Sequence, residues 1–338
     1  SRFHVPFLPL SRSPRLPLAS SHIPVSPSPS LPLSPSPPPL CRLLFAALAL
    51  LLTTSCLHRP GAPATRTGDE IIVAGQFFHT GTRVITWLDP QGYDAYRTER
   101  RFAPLDDSSF EKSKEVAKDL KSPARYGLRR DPSLTPADLE RIRGGGWDLP
   151  TLRNVVDQFV MHYDVCGISK TCFNVLHDHR GLSIHFMLDI DGTIYQTLDL
   201  KERARHATTS NNRSIGIEIA NPGPLVIDKA NPQQLNWWPG EFTTKWCSLA
   251  EKDKYVAAPY RGYSYYAAFP AVQSDAVVAL VDHLCAALSI PKVLPPAAYR
   301  TAFDMSYFDT FKGIATHQNF RKDKTDVGPA FPLARVVN

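Results

Sequence analysis

The first 66 residues decide how much of this 338-residue chain can fold. They hold 14 of its 31 prolines and six arginines (Arg2, Arg12, Arg15, Arg42, Arg59, Arg66), with no Asp or Glu. Rich in Ser and Leu but short of aromatic and β-branched residues, the stretch cannot bury enough apolar surface to offset the entropy of ordering it. Roughly 270 residues remain, enough for one large domain or two small ones. The same partition locates the charge: the net +6 of the chain comes from this segment, because 32 basic residues face 32 acidic ones from residue 67 onward. Nucleic-acid binding thereby loses its electrostatic basis, since the part that can fold carries no cationic surplus.

Within the segment, Arg42 precedes ten apolar residues, Leu43 to Leu52, and then Thr53-Thr54-Ser55-Cys56. Ten residues are too few to cross a hydrocarbon layer of about 30 Å as a helix. A charge, an apolar run and small residues form the order of an export leader. Residues 41–56 resemble a bacterial lipoprotein signal with Cys56 as the lipidated mature N-terminus, although Thr53 stands where leucine is usual; an ordinary secretory signal is the alternative. Either reading places the protein in the cell envelope, on the periplasmic face of a bacterial membrane through Cys56, or outside the cell. Residues 57–66 then form a linker, and residues 1–40 are expected to be disordered or to lie upstream of the true start.

Cysteine usage fits export. Cys166 and Cys172 are close enough to close a small loop by a disulfide. A zinc ribbon is the competing reading, but no second close pair completes it. Cys247 and Cys285 form a second pair or remain buried thiols.

The body divides near residue 150. In 67–150, an N-terminal extension expected to pack on the main domain, Glu70 to Ala74 is strand-like and a helical pattern runs near 108–121. Arg143 to Trp147 reads as a flexible hinge. From 151 the pattern becomes strand (Val155 to His162), short helix (Ser169 to His177), and two strands (Leu182 to Asp189, Thr193 to Leu198) around the turn Asp191-Gly192. Ser214 to Ile219 alternates strictly, with Ile215, Ile217 and Ile219 on one face and Ser214, Gly216 and Glu218 on the other. Residues 222–268, rich in Pro, Trp and Tyr, read as an irregular insertion. Ala271 to Leu288 is apolar at helical spacing and ends before Pro291. Strands interleaved with helices predict an α/β fold with a central mixed β-sheet flanked by helices.

A zinc hydrolase needs about three protein ligands, an open position for water, and a carboxylate to take the water's proton. Eleven histidines are available, so position must choose among them. His162 ends the first buried strand, where α/β sheets build their sites. His317 begins a polar loop that can fold back to bring Asp326, nine residues on, to the same ion.

Six motifs carry a specific resemblance: Val-Met-His-Tyr at 160–163, Leu-Ser-Ile-His-Phe at 182–186, Asp-Gly-Thr-Ile-Tyr-Gln at 191–196, Arg-His-Ala at 205–207, Asn-Arg-Ser-Ile-Gly-Ile-Glu at 212–218 and Lys-Thr-Asp-Val-Gly-Pro at 324–329. In this order, residues 151–333 resemble the type-2 N-acetylmuramoyl-L-alanine amidases, the family that includes a phage lysozyme-type amidase and the peptidoglycan recognition proteins. The resemblance implies a zinc ion held by His162, His317 and Asp326, with Glu218 as general base and Lys324 stabilising the oxyanion. It also implies substrate contact by His206 and a disulfide between Cys166 and Cys172. His185 matches a family position that is not a ligand, and His177 and His179 are expected at the surface. Two departures stand out: Arg205 where the family has Trp, which is expected to alter the substrate groove, and Val327 where it has Pro, which is expected to loosen the loop.

The function this implies is zinc-dependent hydrolysis of the amide between the lactyl group of N-acetylmuramic acid and L-alanine in peptidoglycan. A non-catalytic peptidoglycan or muropeptide binder and an amidase specific for anhydro-muropeptides are the alternatives. Binders of this kind typically lack the third ligand, whereas Asp326 is present.

Overall fold

The computed structural model describes residues 65–96, 126–144, 146–237 and 244–338. The leader, Cys56 and the helical pattern near 108–121 lie outside them. The strands are β1 (Glu70–Val73), β2 (Gln76–His79), β3 (Val84–Thr86), β4 (Tyr126–Gly127), β5 (Gln158–Tyr163), β6 (Phe186–Leu188), β7 (Ile194–Gln196), β8 (Arg203–Ala204), β9 (Ser214–Ile219), β10 (Pro224–Ile227), β11 (Gln234–Trp237), β12 (Thr244–Ser248), β13 (Tyr255–Tyr260), β14 (Tyr263–Ala267) and β15 (Gly313–Thr316).

The central sheet has the order β15-β5-β9-β6-β7-β3. Only the β6–β7 pair is antiparallel, closed by the predicted Asp191-Gly192 turn. This is the expected mixed sheet. One face carries Phe159, Met161, Ile215, Ile217 and Ile219 into the main core, where the helix Ala271–Leu288 contributes Val277, Leu280, Val281, Leu284 and Leu288. That helix is long and apolar enough to cross a membrane by composition, yet more than half of it is buried against the sheet.

The first strand of the main domain starts later than its apolar run suggests. Leu149–Val155 is a helix, because Asp148 caps it by accepting from Thr151 N–H and Pro150 suits its first turn. The extension does more than pack on the domain. Its β3 pairs in parallel with β7 as the sheet's edge, and Ile71, Val73, Ile142 and Trp147 enter the main core. At the expected hinge, Trp147 is buried, and Arg141 donates to Gly146 O and to the Asp148 carboxylate.

Residues 224–267 correct the expectation of an irregular insertion. They build an antiparallel sheet of order β12-β11-β10-β14-β13 with its own core of Leu225, Leu235, Cys247, Tyr255 and Ala267. Val327, expected to loosen its loop, is buried in the main core.

Candidate metal centre and cleft

The residues on the other face of β5 and β9 build the site. Parallel register sets Gln158 beside Ser214, Val160 beside Gly216 and His162 beside Glu218. The alternation that sends three isoleucines into the core thus turns Ser214, Gly216 and Glu218 the other way: Ser214 and Gly216 lie buried against His206, and Glu218 lines a cleft of about 960 Å³. His317 arrives from the end of β15, where Thr316 and Asn319 cap the short helix His317–Phe320. The chain then turns back, with Gln318 N–H donating to Asp326 O, so that Asp326 returns to His317.

The three predicted ligands meet. Asp326 Oδ2 lies 2.9 Å from His317 Nδ1 and 3.3 Å from His162 Nδ1, and the three ligand atoms all lie within 4.8 Å of one another. Burial first, then the neighbouring His317, pushes the His162 imidazole down to about 4, so it is neutral at physiological pH. Burial alone would raise the Asp326 carboxyl, but the neighbouring His317 imidazole, then the close approach of His162, outweigh it and hold it ionised below the usual carboxylate range. His162 Nδ1 is buried without a hydrogen-bond partner. A bare imidazole nitrogen facing a carboxylate oxygen, with a second imidazole alongside and one side open to the cleft, is a donor set that fits a zinc ion.

Glu218 faces the same cleft, with Oε2 buried and unpaired. Burial, then the negative charges of Asp326 and Asp164, pushes its carboxyl well above the usual range. Lys324 lines the cleft, half-buried, two residues from Asp326. The loop carrying both is held from the insertion sheet: Arg261 donates to Lys322 O and Lys324 O, and Tyr260 to Gln318 Oε1. Tyr163 is hydrogen-bonded to Thr325.

His206 lines the cleft, but both its ring nitrogens are engaged. Nδ1 lies 3.0 Å from His162 Nε2, and Nε2 lies 3.2 Å from Ser214 Oγ. Burial, then the adjacent His162, holds this ring neutral, well below the usual imidazole range. His185 is not a ligand: its Nδ1 accepts from Gly216 N–H and its Nε2 lies 3.0 Å from Glu202 O.

Two expectations need correction. His177 is buried rather than on the surface, stacked on Phe173 and bonded to Ala95 O, because residues 174–179 form a π-helical turn that points it inward while His179 stays exposed. Cys166 and Cys172 are free thiols, not a disulfide; they lie side by side, and the hydrogen bond to Cys166, then burial, raises the Cys172 thiol well above its usual range. Cys247 and Cys285 are free as well, one in the insertion core and one in the main core.

Apart from Arg205 and Lys324, sequence reading missed the cations. Arg130, Arg180, Arg203 and Arg205 line the cleft. The β4–β8 ladder sets Gly127 opposite Arg203, which brings Arg130 of the extension to the same rim. Burial first, then Arg205 and Arg130, lowers the Arg203 guanidinium, a sign of how closely the three charges stand.

A family profile for N-acetylmuramoyl-L-alanine amidases matches residues 152–329, more than half of the chain, and spans His162, His206, Glu218, His317, Lys324 and Asp326. The chain belongs to this family. No curated protein sequence matches it. Among solved structures, this amidase is similar to the endolysin amidase LysCS of Clostridium intestinale URNW, at 16% identity over 55% of this chain and 83% of that one, with a TM-score of 0.32. It is also similar to AmiD of E. coli, a structure in complex with anhydro-N-acetylmuramic acid-L-Ala-D-gamma-Glu-L-Lys, at 19% identity over 54% and 56% of the two chains and a TM-score of 0.35. A third similar structure, AmpD, gives 17% identity over 54% and 84%, with a TM-score of 0.30. The match begins at residue 152, so β1 to β3 and Arg129 and Arg130 are additions of this chain to the matched region.

Proposed function

We propose that this amidase is zinc-dependent and hydrolyses the amide between the lactyl group of N-acetylmuramic acid and L-alanine in peptidoglycan. The convergence of His162, His317 and Asp326 beside Glu218, with His317, Asp326 and Glu218 lining one cleft, carries the reading. A zinc ion held by those three supplies Lewis-acid polarisation of the amide carbonyl and acidification of a water. Glu218 accepts the proton that water loses and returns it to the departing amine; a carboxyl held above the usual range is suited to both transfers near neutral pH. Lys324 offers its ammonium to the oxyanion that develops on the carbonyl carbon's oxygen. The arginines along the cleft complement the carboxylates of a stem peptide. Export to the envelope through the leader at 41–56, with or without lipid on Cys56, would bring the protein to this substrate.

Purified full-length protein incubated with peptidoglycan should release stem peptides, and Glu218→Gln should lower that release by about 10²–10⁴-fold while leaving bound zinc unchanged. Peptidoglycan binding without release by the wild type would make the protein a binder. Loss of zinc on Glu218→Gln would contradict its role as base.

A further inference from the structure

We propose that His206 is a positioning residue for the metal centre: through it, Ser214 and the Ser210 carbonyl fix His162 as the Nε2–H tautomer and leave its Nδ1 lone pair free for the ion. The inference rests on the zinc reading above, and it follows from the direction of four hydrogen-bonding groups. The Ser210 carbonyl can only accept; it takes Arg213 N–H at 3.0 Å and the Ser214 hydroxyl at 2.7 Å. With its one proton committed there, Ser214 Oγ can only accept from His206 Nε2, 3.2 Å away, so that nitrogen carries the hydrogen. A neutral imidazole has a single N–H. His206 Nδ1 is therefore an acceptor, and its partner at 3.0 Å, His162 Nε2, must be the donor. What remains on His162 is a bare Nδ1, the same atom that is buried without a hydrogen-bond partner against Asp326 Oδ2. The chain of bonds, read from the carbonyl end, thus predicts which ligand atom faces the ion, and the contacts at the other end agree.

The sequence builds this relay with some care for space. The backbone N–H groups of His206 and Ala207 both donate to Asn211 Oδ1, at 2.9 and 2.7 Å, which fixes the loop that carries the ring. Gly216 supplies the room: a Cβ there would stand 2.5 Å from both Cε1 and Nδ1 of His206. The residues on this face of β9 therefore divide the labour. Ser214 orients the relay, Gly216 admits the ring, and Glu218 faces the substrate.

Zinc affinity, measured by chelator competition on the full chain, tests the proposal apart from activity. His206→Ala should weaken zinc binding about 10–100-fold, the usual effect of losing a ligand's outer partner. Gly216→Ala should do the same without removing any polar atom, and His206→Asn, which keeps an acceptor near the Nδ1 position, should recover part of the loss. In the metal-free wild type, ¹⁵N-histidine spectra should show His162 protonated at Nε2. Folded His206→Ala protein that holds zinc within twofold of wild type would overturn the proposal, as would His162 protonated at Nδ1. Should the variants fail to fold, the wild-type spectrum still decides. A wild type that binds no zinc but shows the Nε2–H tautomer would fail the zinc reading and uphold the relay.

Discussion

Arg129 shows how a single residue can matter to a site it never touches. Its side chain is fully buried, and it donates to Leu200 O at 2.9 Å, Asn212 O at 2.9 Å and Ser214 O at 3.1 Å. Burial pushes the guanidinium down to about 9, which leaves it a cation at neutral pH. It thereby ties the extension to the start of β9, the strand that carries Ser214 and Glu218. Replacing Arg129 by Leu strands the buried Leu200 and Ser214 carbonyls and the partly buried Asn212 carbonyl, and should destabilise the fold by about 2 kcal/mol or more, at roughly 1 kcal/mol or more for each buried unpaired group. Urea unfolding would measure it, and a change under about 1 kcal/mol would show that the carbonyls find other partners. At this scale the sequence was uneven as a guide. His162, His317, Asp326 and Glu218 could be picked out because strand ends, alternation and motif order converge on them, and the structure brings all four together. Nothing in the local pattern marks Arg129 as buried and Arg130 as facing the cleft, since the two are adjacent and chemically identical. His206 was legible as a site residue, but its second contact, with Ser214, depends on a three-dimensional return of the chain.

Among elements, the five-stranded sheet of residues 224–267 was the least legible and proves to be a structural support of the site. Its strands are short and half-exposed, and register shifts at Leu235/Asn236 and Ala257/Tyr260 break the alternation by which a strand is recognised. β9, by contrast, has six residues of unbroken alternation and was readable in full. The sheet reaches the metal loop through Arg261, at the β13–β14 turn, which binds the carbonyls of Lys322 and Lys324. Arg261→Ala should release residues 322–326 without disturbing the main core. Hydrogen exchange in that loop should then rise and zinc affinity fall several-fold, while the melting temperature moves little. Unchanged exchange there would mean that Tyr163, Thr325 and the buried Val327 hold the loop without help from the insertion.

For the whole molecule, the extension is part of the domain's stability as well as its sheet. Asp89, just past β3, accepts from both Arg66 Nη2 (2.7 and 2.8 Å) and Thr86 N–H (2.7 Å). Burial alone would raise its carboxyl, but those contacts outweigh it and lower it below 3.8. A lowered folded value contributes stability above about 3.8 that is lost as the pH falls through the folded value. Asp89→Asn should therefore cost about 1–3 kcal/mol at pH 7, with the gap to wild type closing below pH about 4; a gap that stays constant into acid would remove the charge from the account. The charge balance of the body also takes on a shape. A neutral fold concentrates five arginines, Arg321 among them, and Lys324 around one cleft, a local feature that a net count cannot reveal. The central claim, that His162, His317 and Asp326 hold a zinc ion on which hydrolysis depends, is tested most directly by metal analysis of the purified full-length protein alongside peptidoglycan hydrolysis. One zinc per chain is expected, with stem-peptide release abolished by a chelator and restored by added zinc. Release that persists in metal-free protein, or protein that retains no zinc, would contradict it.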